Sequence, residues 1–364
     1  MTVLGIETSC DETAASVCRI DDSVAGVMML SNSVVSQIDI HKAYGGVVPE
    51  VAARSHIEAM MPVVDDALKV AFGDTTRAEQ WAQIDAVAVT YGAGLNGSLL
   101  IGVLTARTLA TTLNKPLYAC NHVEGHVYAN FITETPLAGY SLPATMPQFP
   151  VLALIVSGGH SQLVLFRSHF DYTLLGKTYD DAIGEAFDKV AKMTGLPYPG
   201  GPSVAQAATH GDAQAFSLPI SKIEGDYNFS FSGLKTAVLR RAQMMCGRDY
   251  TMHSSELPSA LSEAQVNDIA AVFQRVAIET VVTKTLKAYQ QYSPASVVIA
   301  GGVAANNELR RQLADALPIS PSYTDIKLCT DNGAMIAALG CYKAMLGTAP
   351  TDPCSLEPNP NLKM

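Results

Sequence analysis

Two histidines four residues apart, His122 and His126 in the run Asn121-His122-Val123-Glu124-Gly125-His126, are the pair in this sequence best spaced to do chemistry. They follow a short apolar run, Pro116 to Cys120, and open a stretch, 123–132, that reads as a helix. On a helix such residues stand one above the other on one face, which is what a divalent cation needs from two imidazoles. Paired surface histidines share the spacing, so the chelate is one of two readings at this point. A metalloprotease would set its glutamate directly beside one of the histidines. Glu124 is two residues from each, about 200° round the helix, and so turned from the face that would hold a catalytic water. An ion here suits orienting a charged substrate better than peptide hydrolysis.

Other segments carry groups that such a site would need. Strand-like runs at 3–7 and 14–19 flank the turn Thr8-Ser9-Cys10-Asp11-Glu12-Thr13, built of hydroxyl and acidic side chains. It reads as a polar hairpin turn or as a phosphate-facing loop in which Asp11 and Glu12 position charge or move a proton. Residues 24–33, starting at Val24, would supply a third strand. Pro49–Phe72 reads as a long helix with proline at its first turn and a core stripe of Ile57, Met60, Met61, Val64 and Leu68. A buried strand at 84–90, the turn Tyr91-Gly92-Ala93-Gly94-Leu95-Asn96-Gly97 and a helix over 98–113 form a second anion cradle or a plain tight turn.

After a proline-rich link at 133–150, the opening pattern recurs. Strand-like runs at 151–156 and 162–166 flank Ser157-Gly158-Gly159-His160-Ser161, with a helix over 180–194 beyond them. Two glycines after a buried strand let a ligand approach the backbone. A helix capped by Ser262 with Gln265, a short strand at 297–300 and the turn Gly301-Gly302-Val303-Ala304-Ala305-Asn306-Asn307 follow. Asp331 reads most simply as the N-cap of a helix over 334–346, and 347–364 as an extended or loose tail rich in proline.

With 364 residues, 48% hydrophobic and 16% charged, the chain can bury a two-lobed core. No apolar run reaches membrane-span length and the start lacks a basic leader, so the expectation is a cytoplasmic protein without a membrane anchor. Seven scattered cysteines, never spaced Cys-x-x-Cys, fit reduced thiols. A net charge of −10 argues against indiscriminate nucleic-acid binding but leaves room for a local basic patch or a basic partner.

Glycine turns at strand ends in two repeated halves describe a bilobal α/β protein with a nucleotide between its lobes. Several motifs, taken in order, resemble the tRNA adenosine threonylcarbamoyltransferase family, the TsaD group: Gly5-Ile-Glu-Thr-Ser-Cys-Asp-Glu-Thr13, Tyr44-Gly-Gly-Val-Val-Pro-Glu50, His122-Val-Glu-Gly-His126, Val156-Ser-Gly-Gly-His160, Gly184-Glu-Ala-Phe-Asp-Lys189, Phe229-Ser-Phe-Ser-Gly-Leu-Lys235, Ala300-Gly-Gly-Val-Ala-Ala-Asn306 and Cys329-Thr-Asp-Asn-Gly-Ala-Met335. The resemblance implies an actin-like fold of two RNase-H-like lobes, with mixed sheets flanked by helices. The first lobe would span 1–132, completed by the helix 332–346; the link 133–150, a second lobe 151–331 and the tail 347–364 would follow.

By position, the resemblance implies that His122, His126 and Asp331 hold one divalent metal per subunit, iron or zinc. Ile155, Val156, Ser157, Gly158, Gly159, Asp188, Gly201 and Asn306 would hold threonylcarbamoyl-AMP or an ATP-type nucleotide, and Asp11 and Glu12 would be catalytic. The implied reaction moves the threonylcarbamoyl group to the exocyclic amine of the adenosine 3′ of the anticodon, in tRNAs reading codons that begin with A. Implied partners are tRNA, a TsaB-type paralogue and a TsaE-type small ATPase, with Arg240, Arg241, Arg310 and Arg311 as candidate tRNA contacts. Two positions depart from the pattern: Ile155 stands where archaeal relatives carry a metal-binding tyrosine, and Ala93 where many relatives carry proline. The competing readings are an ATPase or small-molecule kinase of the same superfamily and a non-catalytic scaffold.

Overall fold

The computed structural model describes residues 1–21, 25–221, 223–248 and 250–364, so Val24, the first residue of the expected third strand, lies outside it. The chain forms two compact units, Met1–Pro147 with Ser322–Met364, and Gln148–Pro321.

Unit 1 is built on β1 (Thr2–Glu7), β2 (Glu12–Arg19), β3 (Val27–Met29), β4 (Ser33–Ser36), β5 (Ala86–Gly92), β6 (Leu117–Asn121) and β7 (Ile132–Glu134). Their order is β6-β5-β1-β2-β3-β7, with β4 also paired to β2. β1 and β2 form an antiparallel hairpin whose register runs from Thr2 opposite Arg19 to Glu7 opposite Ala14, while β5 joins β1 and β6 joins β5 in parallel. The central strands are nearly continuous apolar runs because helices cover both faces. Leu4, Ile6, Ala15 and Val17 pack with Met60, Val64 and Leu68 of the helix Pro49–Phe72 and Val103 of the helix Asn96–Leu113. On the opposite face lies the helix Gly333–Met345. It packs backbone to backbone: a Cβ on Gly5 would stand 2.3 Å from Ala337 N, and one on Gly333 2.5 Å from the carbonyl carbon of Ala15.

Several sequence expectations shift here. The helix Pro49–Phe72 has its expected bounds, but Ile57 is 63% exposed and Met61 38%, while His56, Val63 and Ala67 are buried in their place. The buried arc is thus turned by part of a residue step from the apolar stripe. Strand β7 takes Ile132 out of the expected helix, which ends at Tyr128 and continues as a 3-10 turn over Ala129–Phe131. Residues 133–147 and 322–331, expected as link and second lobe, pack with unit 1. The tail is tied down: Thr351 N donates to Leu117 O at 2.7 Å, Asn359 N to Tyr91 O at 2.6 Å, and Arg107 to the carbonyls of Cys354 and Leu356. Its prolines exclude helix but leave carbonyl groups and the buried Leu356 side chain to pack against unit 1.

Unit 2 holds β8 (Val151–Val156), β9 (Ser161–Ser168), β10 (Asp171–Lys177) and β11 (Ser296–Ala300). β10, β9 and β8 form an antiparallel meander and β11 joins β8 in parallel. Strands β3, β2, β1 and β5 of unit 1 have the same relations, so the repeat read in the sequence is a repeat of topology. The helix Glu263–Tyr292 starts on the expected capping box of Ser262 and Gln265.

Candidate functional site

Asn121 ends β6 and caps the helix His122–Tyr128 through its side-chain oxygen, which accepts from the Val123 and Glu124 N–H groups. That cap sets His122 at the first helical position and His126 one turn on, with ring centroids 4.7 Å apart. A Cβ on Gly125, between them, would come 2.8 Å from Ile336 Cδ1, so the glycine lets the helix Gly333–Met345 approach closely. The cap of that helix is Asn332, whose Oδ1 accepts from Met335 N at 3.0 Å, and not Asp331 as expected. Released from capping, Asp331 brings Oδ1 to 3.2 Å from His126 Nε2 and 3.6 Å from His122 Nε2. The three ligand atoms lie within 4.8 Å of one another.

Behind His122 stands Glu7, the fully buried end of β1. Its Oε2 is 3.2 Å from His122 Nδ1 and accepts the Thr90 hydroxyl at 2.5 Å, and its Oε1 accepts Ser9 N at 2.5 Å. Ser9 Oγ is 3.1 Å from the same ring nitrogen. This contact turns Nε2 toward Asp331, the tautomer and orientation that ligating imidazoles take from a carboxylate behind them. Burial alone would push His122 down, but the carboxylates of Asp331 and Glu7 outweigh it and hold its pKa up to about 9. The surroundings therefore favour positive charge at this point. In buried His126, Nδ1 lacks a hydrogen-bond partner among the described residues, and Nε2, though 3.2 Å from Asp331 Oδ1, makes no hydrogen bond to it. Two imidazoles, a carboxylate and orphaned ring nitrogens fit a divalent transition metal. Glu124 lies outside the group, buried near Lys343.

The turn from Thr8 to Thr13 is more committed to structure than expected. Thr8 Oγ1 donates to Ser98 O, and Thr13 Oγ1 is 2.7 Å from His56 Nδ1, whose Nε2 is 3.0 Å from Cys10 O. Glu12 is held well above the usual carboxylate range, first by burial and then by Asp331 and Asp11. Nor is the turn 91–97 an open anion cradle: Gly94 N donates to Pro360 O and Leu95 N to Ser9 O.

In unit 2, Ile155 and Val156 are buried in β8, and Ser157 closes the turn by donating its N–H to His160 O. A Cβ built on Gly158 or Gly159 would meet nothing within 4 Å, so this backbone is open to a ligand. Gly184, in the first turn of the helix Ile183–Thr194, donates to Ser157 O and brings the Asp188 helix onto the loop. One Asp188 oxygen accepts Gly200 N at 2.7 Å, and nothing lies within 4 Å of a Cβ on Gly201. Asn306 caps the helix Asn307–Ala316 and donates to Gln274 Oε1 at 2.9 Å, so its amide is engaged within the protein.

The paired mixed sheets and the His-His-Asp group, with both histidines buried, define an actin-like α/β protein with a ligand set of the metal-binding type. Two solved structures share the fold: HypF from T. kodakarensis, with TM-score 0.58 and 12% identity over 94% of this chain and 48% of that one, and a full-length HypF, with TM-score 0.53 and 13% identity over 96% and 47%. The family model of tRNA N6-adenosine threonylcarbamoyltransferase, TsaD, matches residues 28–338. Relatives of that name from Symbiobacterium thermophilum and Thermomicrobium roseum are 48% and 46% identical, covering 93% and 95% of this chain and 91% and 93% of their own. The chain belongs to the tRNA N6-adenosine threonylcarbamoyltransferase family and is a transferase.

Proposed function

We propose that the chain moves the threonylcarbamoyl group from threonylcarbamoyl-AMP to the exocyclic amine of the adenosine 3′ of the anticodon, in tRNAs reading codons that begin with A. The observation that carries the mechanism is the convergence of His122 and His126, on one helix, with Asp331, 205 residues beyond His126 in sequence (331 − 126). These three would hold one iron or zinc ion, which when bound would supply Lewis-acid stabilisation to a phosphate or carbamoyl oxygen. Glu7 and Ser9 would fix the His122 ring for it. In unit 2, the open backbone of Gly158 and Gly159 would meet the adenylate phosphate, on the turn that Ser157 closes; Ile155, Val156, Gly201 and Asn306 would frame the nucleotide, and Asp188 would bond its ribose.

The amine lone pair attacks the carbamoyl carbon, the bond from that carbon to the phosphate oxygen breaks, and AMP leaves with the electron pair. The proton shed by the amine needs an acceptor. Glu12 would take it, with Asp11 positioning charge beside it. A TsaB-type paralogue and a TsaE-type ATPase would be partners, and exposed Ile57, Met61, Leu100 and Leu104 on the helices Pro49–Phe72 and Asn96–Leu113 support a protein contact on unit 1. Among the described residues no helix is long and apolar enough to cross a membrane.

Transfer of labelled threonylcarbamoyl from its adenylate to unmodified tRNA, partners present, tests the reading. The native chain should transfer label, while His126→Ala and Asp331→Ala should lose at least about a hundredfold and bind zinc weakly. Full activity in both folded variants would remove the metal from the mechanism; ATP turnover without transfer would favour the kinase or ATPase reading.

A further inference from the structure

Unit 2 carries a concave pocket of about 640 Å³ between residues 217–219, the helix Ser232–Met245 and Tyr250. Its lining includes Ser217, Ser232, Thr236, Arg240, Arg241 and Tyr250, and among the described residues no carboxylate. The Arg240 guanidinium lies 5.5 Å from the centre of the Tyr250 ring, and that of Arg241 4.6 Å from the Phe216 ring. Among the described residues neither arginine is in an ion pair and Arg241 Nε is buried without a partner, whereas Arg77, Arg275 and Arg311 are paired at 2.6, 3.1 and 2.7 Å. Asp180, bonded to Ser232 Oγ at the rim, is already supplied with donors by Ser230, Phe231 and Ser232. Tyr250 is 73% exposed and Met244 60%.

Two unneutralised guanidinium groups in a concave surface of a chain with net charge −10 create a local field of the opposite sign to the whole. Planar guanidinium matches phosphate with paired hydrogen bonds, and aromatic rings interleaved with arginine are how proteins hold unstacked bases. A carboxylate-bearing peptide would use the charges but leave the aromatic faces idle. We propose that this pocket docks one or two unpaired nucleotides of the tRNA substrate, with phosphates on Arg240 and Arg241 and a base against Tyr250. The inference rests on the transferase reading for the identity of the polymer. The pocket is tied to the adenylate elements: Asp181, two residues before the helix that carries Asp188, receives Lys235 Nζ of the pocket helix at 2.7 Å. Arg311, with its guanidinium already engaged by Glu308 and Asp315, is excluded from the same role.

Equilibrium binding of unmodified tRNA to the full chain, measured across a range of salt concentrations, tests this site, with transfer measured in parallel. Arg240→Gln/Arg241→Gln should weaken binding about tenfold or more and reduce the salt slope by about 1.4, roughly 0.7 for each phosphate contact. Tyr250→Ala should weaken it about tenfold at an unchanged slope, and Arg311→Gln should match the native chain. Native affinity and slope in the double variant, folded by its thermal unfolding curve, would overturn the site, leaving an acidic protein segment as its occupant; so would a native chain that retains no tRNA. A native chain that binds tRNA with the expected variant pattern yet transfers nothing when the partners are added would overturn the transferase reading and leave the pocket standing.

Discussion

Glu7 shows how much of the centre depends on a residue that would never contact substrate. Its carboxylate is fully buried and answered by His122, Ser9 and Thr90, so it holds the imidazole in one orientation before any ion arrives. Glu7→Gln keeps the shape and removes the charge. The expected result is a 10- to 100-fold loss of zinc affinity in competition with a chromophoric chelator, with the fold retained; native affinity would mean that His122 needs no such support. Spacing singled out His122 and His126 but left a chelate and a plain histidine pair both open. It did not single out Asp331, since its simplest local use was as a cap, and only the family pattern pointed to it. Glu7 escaped altogether because its partner lies 115 residues away, although an acid closing an apolar strand was itself a sign of a buried, paired charge.

The contacts of Gly333 set how closely its helix lies on the β1–β2 hairpin. Alanine is the better helix former by up to about 1 kcal/mol, yet its Cβ would stand 2.5 Å from the Ala15 carbonyl carbon and 2.6 Å from Ser16 N, backbone atoms that cannot rotate aside. Gly333→Ala should therefore destabilise unit 1 by about 1–3 kcal/mol in denaturant unfolding and weaken the metal group, because Asp331 rides on the same turn; a stabilised variant would show that the packing yields. In unit 2, burial would raise Asp180, but bonds from Ser230, Ser232 and the backbone of Phe231 and Ser232 win and hold it below the usual carboxylate range. A depressed pKa stabilises above the unfolded value near 3.9 and is lost as pH falls through the folded one. Native and Asp180→Asn chains should differ by less than about 1 kcal/mol near neutral pH, given the exposure of Asp180. That gap should close in acid, as read from unfolding midpoints; a constant gap would exclude the charge. Caps such as Ser262 were legible because their chemistry is local. The inward face of Pro49–Phe72 was not, because apolar spacing alone does not say which neighbouring arc meets the sheet.

At the scale of the molecule, the doubled topology was readable because each half opens with two strand-like runs around a small polar turn, and turn chemistry is written in consecutive residues. The limits of unit 1 were harder to read: whether 133–147, 322–331 and the tail pack with it depends on backbone bonds such as Asn359 N to Tyr91 O, which leave no periodic mark. Unit 2 is one unbroken stretch, whereas unit 1 is interrupted by it, with one face of its sheet covered by Gly333–Met345. On the ribosome the order of completion therefore runs against the order of synthesis. The hairpin of β1 and β2 is made first, yet the helix that covers Gly5 is made only after all of residues 148–321. From Arg19 to Met345 is 326 residues (345 − 19), so at about 5–20 residues per second that face of the hairpin stays bare for roughly 16 to 65 seconds in each round of translation, an interval in which the nascent chain is open to misassembly with its neighbours.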